Sequence, residues 1–451
     1  MTHSKGTRRQ RKKKKTKKRL VSNALVCSLD LAKKRHTFQV RDKKDESLAE
    51  GTVPHTQEGL EDLLEKLESL REKRGHRRTV FFMEGASHFW MPLVSFLERR
   101  GYTCRLVQNR SVSHQRHVSG QSGWKTDPRD AAHIGELGVS LHFSFTELPT
   151  SEVWTRLRAC GCEYQELTDQ MTAEKNRIHA FLETVLPRYY EIFANPFRQS
   201  SLAVLATIPK AHQLPQEEFI RQVRQAFQGT NLRAKRARSV FDYVNSEDPW
   251  GYVEARPAIC ERIGTAAERL QLQIRQRKEV EDRLLDAYRR TGYSQNLDSI
   301  HGSSSVKNAV LLGIIGDPAD FDTSGALVRM AGLDPGRKSS GQHQGRTEIT
   351  KAGRPRLRRA ATDATMVFLM SGGNKAFPQR YYYLQNREEN PLTEVQALCA
   401  CAAKYLRTAW WLCVCDDRYD PVIASEGFGC SRTAGEKQGG VVLHVKEQTA
   451  D

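Results

Sequence analysis

The sequence predicts an α/β domain built on a mixed sheet, then a long coiled-coil helical arm, then a mainly helical C-terminal domain. Three observations carry this. Between residues 24 and 107, short apolar runs alternate with two amphipathic patterns. From Val153, apolar residues recur at heptad spacing. Beyond residue 296, helical patterns dominate around one Gly- and Arg-rich segment.

The elements follow in order. Residues 1–20 hold 11 Lys/Arg and no Asp/Glu, which predicts a disordered basic tail. ALVCSLDLA is a short apolar run and reads as a strand. KKRHTFQVRD alternates and gives a second strand, and LAEGTVP a third, so the three form a meander. Leu60, Leu63, Leu64, Leu67 and Leu70 recur at helical spacing, with Thr56 placed to cap. RTVFFMEG is a buried strand, SHFWMPLVSFLERRG a helix, and YTCRLVQ another strand. The predicted order is β-β-β-α-β-α-β over residues 21–150, and DPRDAAHIGEL opens one more helix.

Residues 151–295 form the expected arm. Val153, Leu157, Cys160, Tyr164, Leu167, Met171, Ile178, Phe181 and Val185 make one seam, broken by Glu174 and stopped by Pro187. A second long helix is expected over about 263–290, and dimerisation through these helices follows from the spacing. Residues 188–260 show no assignable pattern. Residues 296–423 carry helices around the segment GLDPGRKSSGQHQGRTEITKAGRPR, a loop or hairpin, and residues 424–451 are polar, Gly-rich and expected to be disordered.

Composition narrows the function. Removing the tail's 11 charges from the net +18 leaves +7, so the strong basicity belongs to the tail. A polyanionic partner, most simply nucleic acid, fits. The mean hydropathy of −0.62 and the absence of a long apolar run exclude a membrane-spanning chain. No secretory h-region precedes the first strand, and ten Cys are sparse for 451 residues. A cytoplasmic protein with reduced thiols is expected.

Four carboxylates stand out by position. Asp30 ends the first strand and Glu84 the fourth, while Asp127 and Asp130 share one helical face. Carboxylates at apolar strand ends are costly without a partner, and Mg²⁺ is a suitable one. Two such ions can stabilise the attacking and leaving oxygens of a phosphoryl transfer. Taken singly, each acid is better explained as a turn residue or cap, with Asp127 an N-cap before Pro128; the strength lies in the four occurring in order on this strand sequence.

These stretches, SLDLAKKRHTFQV, VFFMEGASHFW and KTDPRDAAHI, resemble the DEDD transposases of insertion sequences, often called the one-ten family. The resemblance implies an RNase H-like (RuvC-like) first domain whose catalytic and metal-holding acids are Asp30, Glu84, Asp127 and Asp130, with Lys125 the basic residue before the pair. Residues 330–360 are similar to the family's C-terminal transposase domain, which makes Ser340 the nucleophile, with Ser339 adjacent. Arg337, Arg346, Lys351 and Arg354 are then candidates to hold the scissile phosphate. By its residues alone, the same segment reads as a flexible Ser/Gly loop. The segment HGSSSVKNAV departs from the family's hairpin near the start of that domain.

The resemblance further implies one or two Mg²⁺ ions, donor and target DNA, an element-encoded structured RNA guide (bridge RNA), and dimers assembling into a tetramer in a bacterial or archaeal cell, in association with the nucleoid. Two rivals remain: a metal-dependent junction nuclease using the acids alone, and a non-catalytic nucleic-acid-binding scaffold. The pairs Cys399/Cys401 and Cys413/Cys415 read as core cysteines within a helix, as do Cys160 and Cys162, and His36, His88 and His133 as packing or surface residues.

Overall fold

The computed structural model describes residues 21–42, 44, 46–85, 88–107, 109–119, 126–140, 145–146, 152–227, 234–246, 250–340, 343–371 and 375–421. The expected tails, residues 1–20 and 424–451, lie outside these. The chain divides into two compact units, Met1–Pro149 and Thr150–Asp451.

The first unit is a mixed sheet between helices. Its strands are β1 (Ala24–Asp30), β2 (Arg35–Arg41), β3 (Ser47–Pro54), β4 (Arg78–Glu84), β5 (Thr103–Val107) and β6 (Phe145–Thr146), in the order β3-β2-β1-β4-β5-β6. β1 runs antiparallel to β2 and parallel to β4; β4 and β5 are also parallel. This is the predicted order with β6 added at the edge. The helices are α1 (Gln57–Lys73), α2 (Trp90–Arg99), α3 (Asn109–Val118) and α4 (Asp127–Ser140). Thr56 caps α1 by accepting the Gly59 N–H at 3.1 Å.

Alternation along the strands separates two cores. Leu25, Cys27 and Leu29 of β1, with Phe81 and Met83 of β4, pack with α1 and α2. Ala24 and Val26, with Val80 and Phe82, pack on the other face with Ile134 and Leu137 of α4. α4 lies close to the sheet because Gly138 permits it. A Cβ there would sit 2.9 Å from the Phe82 ring.

The spine of the second unit is α5 (Glu152–Val185), paired with a later helix of similar length. Between them lie the short α6 (Tyr189–Ile192), α7 (Gln199–Thr207), α8 (Gln216–Ala226) and α9 (Ala234–Val244), and then the long partner α10 (Arg256–Arg290). α5 and α10 are antiparallel: Arg283 reaches Glu163 at 3.3 Å, and Arg262 lies over the Phe181 ring, 4.4 Å from its centroid. Leu157, Cys160, Leu167, Met171, Ile178 and Val185 of the predicted seam are buried within the unit.

Each end of this pair carries its own core. Met171, Ile178 and Leu182 of α5 pack with Ile263 and Leu270 of α10 and with α7–α9. This core is where the segment without an assignable pattern resides. At the other end, Leu157 and Leu284 share a core with the C-terminal helices. Those are α11 (Ser294–Leu297), α12 (Ser305–Ile315), α13 (Ser324–Ala331), α14 (Pro355–Met370), α15 (Ala376–Asn386) and α16 (Glu394–Cys415). Cys401 and Cys413 of α16 are buried there, while Cys399 and Cys415 are half-buried, as residues two apart on a helix require. Among the described residues, no helix is long and apolar enough to cross a membrane.

Between α13 and α14 the Gly- and Arg-rich segment forms a hairpin of β7 (Pro335–Ser340) and β8 (His343–Ile349). Its base is tied by Thr350 N–H to Asp334 O at 2.9 Å and Lys351 N–H to Gly332 O at 3.0 Å. Gly353 crosses Gly332 so closely that a Cβ on Gly353 would overlap the Gly332 backbone nitrogen.

Candidate active site

The sheet brings two of the expected acids together. The parallel register pairs Leu29 with Met83, so Asp30 and Glu84 follow as neighbours at the ends of β1 and β4. Both are half-buried. They continue the alternation of Val26 and Ser28, and of Val80 and Phe82, which is the face that α4 covers. Asp127 and Asp130 occupy the first turn of that helix. The pair then divides: Asp127 is exposed, and Asp130 is only 2% exposed.

Asp130 is held by a residue the sequence gave no reason to single out. Arg116 of α3 donates its Nε–H to Asp130 Oδ1 at 2.7 Å. Nearly two turns along α4, Glu136 accepts from Gln115 at 3.1 Å and lies 3.6 Å from Arg41. His133 Nδ1 also meets Glu136, at 3.2 Å. These contacts bind α3 to α4 and fix the helix start that bears Asp127. α3 is polar apart from Val112, which is buried with Ile134 and Leu137 of α4, and Val118, so a single apolar anchor and a cation spaced to reach the acid are the only traces of this docking.

Replacing Arg116 by Met should therefore leave a buried, uncompensated carboxylate and cost about 3 kcal/mol of stability. Asp130→Asn in the same chain should recover part of that loss. Chemical denaturation of the three proteins measures both effects, and a loss below about 1 kcal/mol for Arg116→Met would refute the clamp.

The donor set suits a hard divalent cation, since all four groups are carboxylates and Asp30 and Glu84 share the face under α4. Among the described residues, no three His, Cys, Asp or Glu side chains gather at metal-holding spacing. The fit is therefore one of donor chemistry and shared face.

A histidine pair lies beside the same strand end. The Ala32 N–H donates to His36 Nδ1 at 3.2 Å, so His36 Nε2 carries the proton and donates to His55 Nδ1 at 2.6 Å. This ties the turn after Asp30 to the start of α1. His36 is buried, and burial first, then His55, push its pKa from 6.5 down to about 4. The unfolded chain takes up that proton near pH 6.5, whereas the folded chain resists until about 4. Stability from this group should be complete above pH 6.5, decline as pH falls toward 4, and level off below. His36→Asn should flatten that part of a Tm-against-pH curve; parallel curves for the two proteins would exclude His36 as the source.

The hairpin carries the second expected group. Ser340 ends β7 opposite His343, with Ser339 opposite Gln344 and a register shift between Arg337 and Ser339. The side chains of Ser339, Ser340, Arg337 and Arg346, and all of Lys125, lie outside the described residues. Lys351 is exposed at the hairpin base with φ +51. Arg354 has a structural partner: its guanidinium donates to the Ile314 carbonyl at 3.1 Å, and burial, then Arg158, hold its pKa below the ordinary range. It anchors the start of α14 to the end of α12.

A family profile for the DEDD transposases of the IS110 group matches residues 27–187, which include all four acids. A second profile, for transposases of the IS116/IS110/IS902 family, matches residues 294–382, which include the hairpin. No curated protein matches the chain significantly. The two profiles cover more than half of the chain, in the order in which its sheet unit and its hairpin occur. The chain belongs to the IS110 family of DEDD transposases and is a DNA transposase of an insertion sequence.

Proposed function

We propose that this transposase cuts and rejoins DNA through a phosphoester between DNA and Ser340, assisted by Mg²⁺ at the acidic edge of the sheet. The observation that carries the acidic half is the shared face of Asp30 and Glu84 beneath α4. Asp30, Glu84 and Asp127 would hold the cation. Asp130, paired with Arg116, positions the helix that bears Asp127. When bound, Mg²⁺ polarises phosphoryl oxygens and stabilises charge on an attacking or leaving oxygen. The chain's own task is to bring the carboxylates onto one edge and to present Ser340 at the end of a pinned hairpin.

The resemblance also supports an element-encoded structured RNA as guide, donor and target DNA as substrates, and assembly of dimers into a tetramer. The seam of α5 is covered within its own unit, so such an assembly would use other surfaces. The domain division we favour is a basic tail to residue 20, the acidic domain to 150, the arm to 295, the hairpin-bearing domain to 423, and a polar C-terminal tail.

Purifying the chain from cells that carry the whole element, sequencing the RNA that accompanies it, and supplying donor and target DNA with Mg²⁺ tests this reading. Recombinant joints that depend on the RNA are expected. Cleavage to free ends without joining would favour the junction nuclease instead.

A further inference from the structure

Two chain segments leave the acidic edge of the sheet, and one histidine touches both. The ladder between β1 and β4 ends at Leu29 and Met83, one residue before each acid. Beyond it, Asp30 is paired with Thr37 of β2, and Glu84 with Val107 of β5. The turn after Asp30 and the connection after Glu84 therefore keep their places through other contacts. His55, between β3 and α1, supplies one to each.

On the β1 side, the His55 backbone N–H donates to the Lys34 carbonyl at 2.9 Å. The His55 ring accepts from His36 Nε2 through its Nδ1, and His36 Nδ1 in turn holds the Ala32 N–H. The turn is thus bonded at Ala32 by one histidine and at Lys34 by the other. Thr37 lies across from Asp30, so alternation sends His36 to the other face of the sheet, where Val40 and Val53 pack. It is fully buried there and acts through the backbone that follows Asp30.

On the β4 side, the His55 ring meets the Phe89 ring edge-on, with centroids 5.9 Å apart. Phe89 is half-buried and ends the connection from Glu84 to α2. An apolar side chain would fill the place of either imidazole without the cost of burying a polar group. What the imidazoles add is direction. With His36 Nδ1 accepting from Ala32, each remaining ring bond has one donor and one acceptor, and the turn has one position. Outer hydrogen bonds of this kind orient metal-holding side chains, and losing one costs about 10–100-fold in metal affinity.

We infer that His55 is a positioning residue for the acidic edge. Through His36 it fixes the turn after Asp30, through Phe89 the connection after Glu84, and so sets the spacing at which the two carboxylates take a divalent cation. His55 has this role only if Asp30 and Glu84 hold the cation, the reading on which it rests.

The test measures Mn²⁺ binding to the full-length chain by the paramagnetic resonance of the free ion, because Mn²⁺ accepts the same oxygen ligands as Mg²⁺. His55→Ala should weaken binding about tenfold or more and raise the Mg²⁺ concentration for half-maximal strand cleavage by the same factor. Saturating Mg²⁺ should restore most of the cleavage rate, which a loss of fold would not allow. His55→Asn keeps an acceptor for His36 Nε2 and should recover part of the affinity. Phe89→Ala breaks the other contact and leaves the histidine pair; it should weaken Mn²⁺ binding less than His55→Ala does, and it serves if His55→Ala fails to fold. Asp30→Asn gives the loss expected when the edge itself is damaged. Unchanged Mn²⁺ affinity in His55→Ala and Phe89→Ala, with Asp30→Asn impaired, overturns the role of His55 and leaves the cation site standing. Unchanged affinity in Asp30→Asn as well overturns both. A lower melting temperature of His55→Ala with unchanged Mn²⁺ affinity makes His55 a structural residue only and overturns the role too.

Discussion

Asp30→Asn and Glu84→Gln should each reduce DNA strand cleavage on the order of 10²–10³-fold while leaving the fold intact. The size follows from position. Both carboxylates end adjacent parallel strands on the face under α4, so on the proposed mechanism they would act on the same small volume. Each substitution keeps the shape of the side chain and removes one negative charge. What is lost is affinity for the divalent ion and the fixed field at the reacting phosphate, not packing. Thermal unfolding provides the control: at equal pH, the variants should melt within a few degrees of the parent. Added Mg²⁺ should raise the melting temperature of the parent more than that of either variant. Asp127→Asn should behave like these two. Asp130→Asn should differ, because its carboxylate serves Arg116; its main effect should be on stability. A parent and an Asp30→Asn variant with equal cleavage rates would remove this edge from the chemistry.

The sheet was legible because its strands are short apolar runs with acids at their ends. ALVCSLD and RTVFFME become β1 and β4 with Asp30 and Glu84 terminal, as the alternation requires. The clamp was not legible. Arg116 lies in a mostly polar helix whose one buried apolar residue, Val112, makes no stripe, and its importance depends on the burial of Asp130 fourteen residues later. His36 alone reads as a packing or surface residue, and nothing in the sequence singles out His55; only the 2.6 Å contact between them across nineteen residues reveals a link to the turn after Asp30. Heptad spacing on α5 shows that a stripe is covered, but not by what, and α10 of the same chain shares in covering it. The described residues between 188 and 260 fold as short helices that pack with α5 and α10, so their local pattern carries little signal. Arg354 shows the limit of reading charge as phosphate contact: its guanidinium caps a carbonyl on α12.

Ser340→Ala should abolish both the covalent protein–DNA adduct and recombination, and leave folding and nucleic-acid binding unchanged. A recombinase that rejoins strands without a high-energy cofactor must keep the phosphodiester energy, and no G-x-x-x-x-G-K-[ST] loop occurs in this chain. In the proposed step, Ser340 Oγ attacks the scissile phosphorus and loses its proton. The bond to one deoxyribose oxygen breaks, and that oxygen leaves as a hydroxyl. A hydroxyl of the exchanged strand then attacks the same phosphorus and releases the serine, so one phosphoester replaces another throughout. A serine hydroxyl is a weak nucleophile and needs its charge stabilised as it forms. The hairpin supplies a fixed backbone for it: β7 and β8 are paired to Ser340 and His343, and the base is locked where Gly353 crosses Gly332. The adjacent Ser339 provides the internal control, since it sits on the same strand one register step away. Adduct formation is read by denaturing electrophoresis of labelled DNA with each variant. Loss in Ser339→Ala but not in Ser340→Ala would move the nucleophile by one residue, and normal recombination by both variants and the double would refute the serine intermediate.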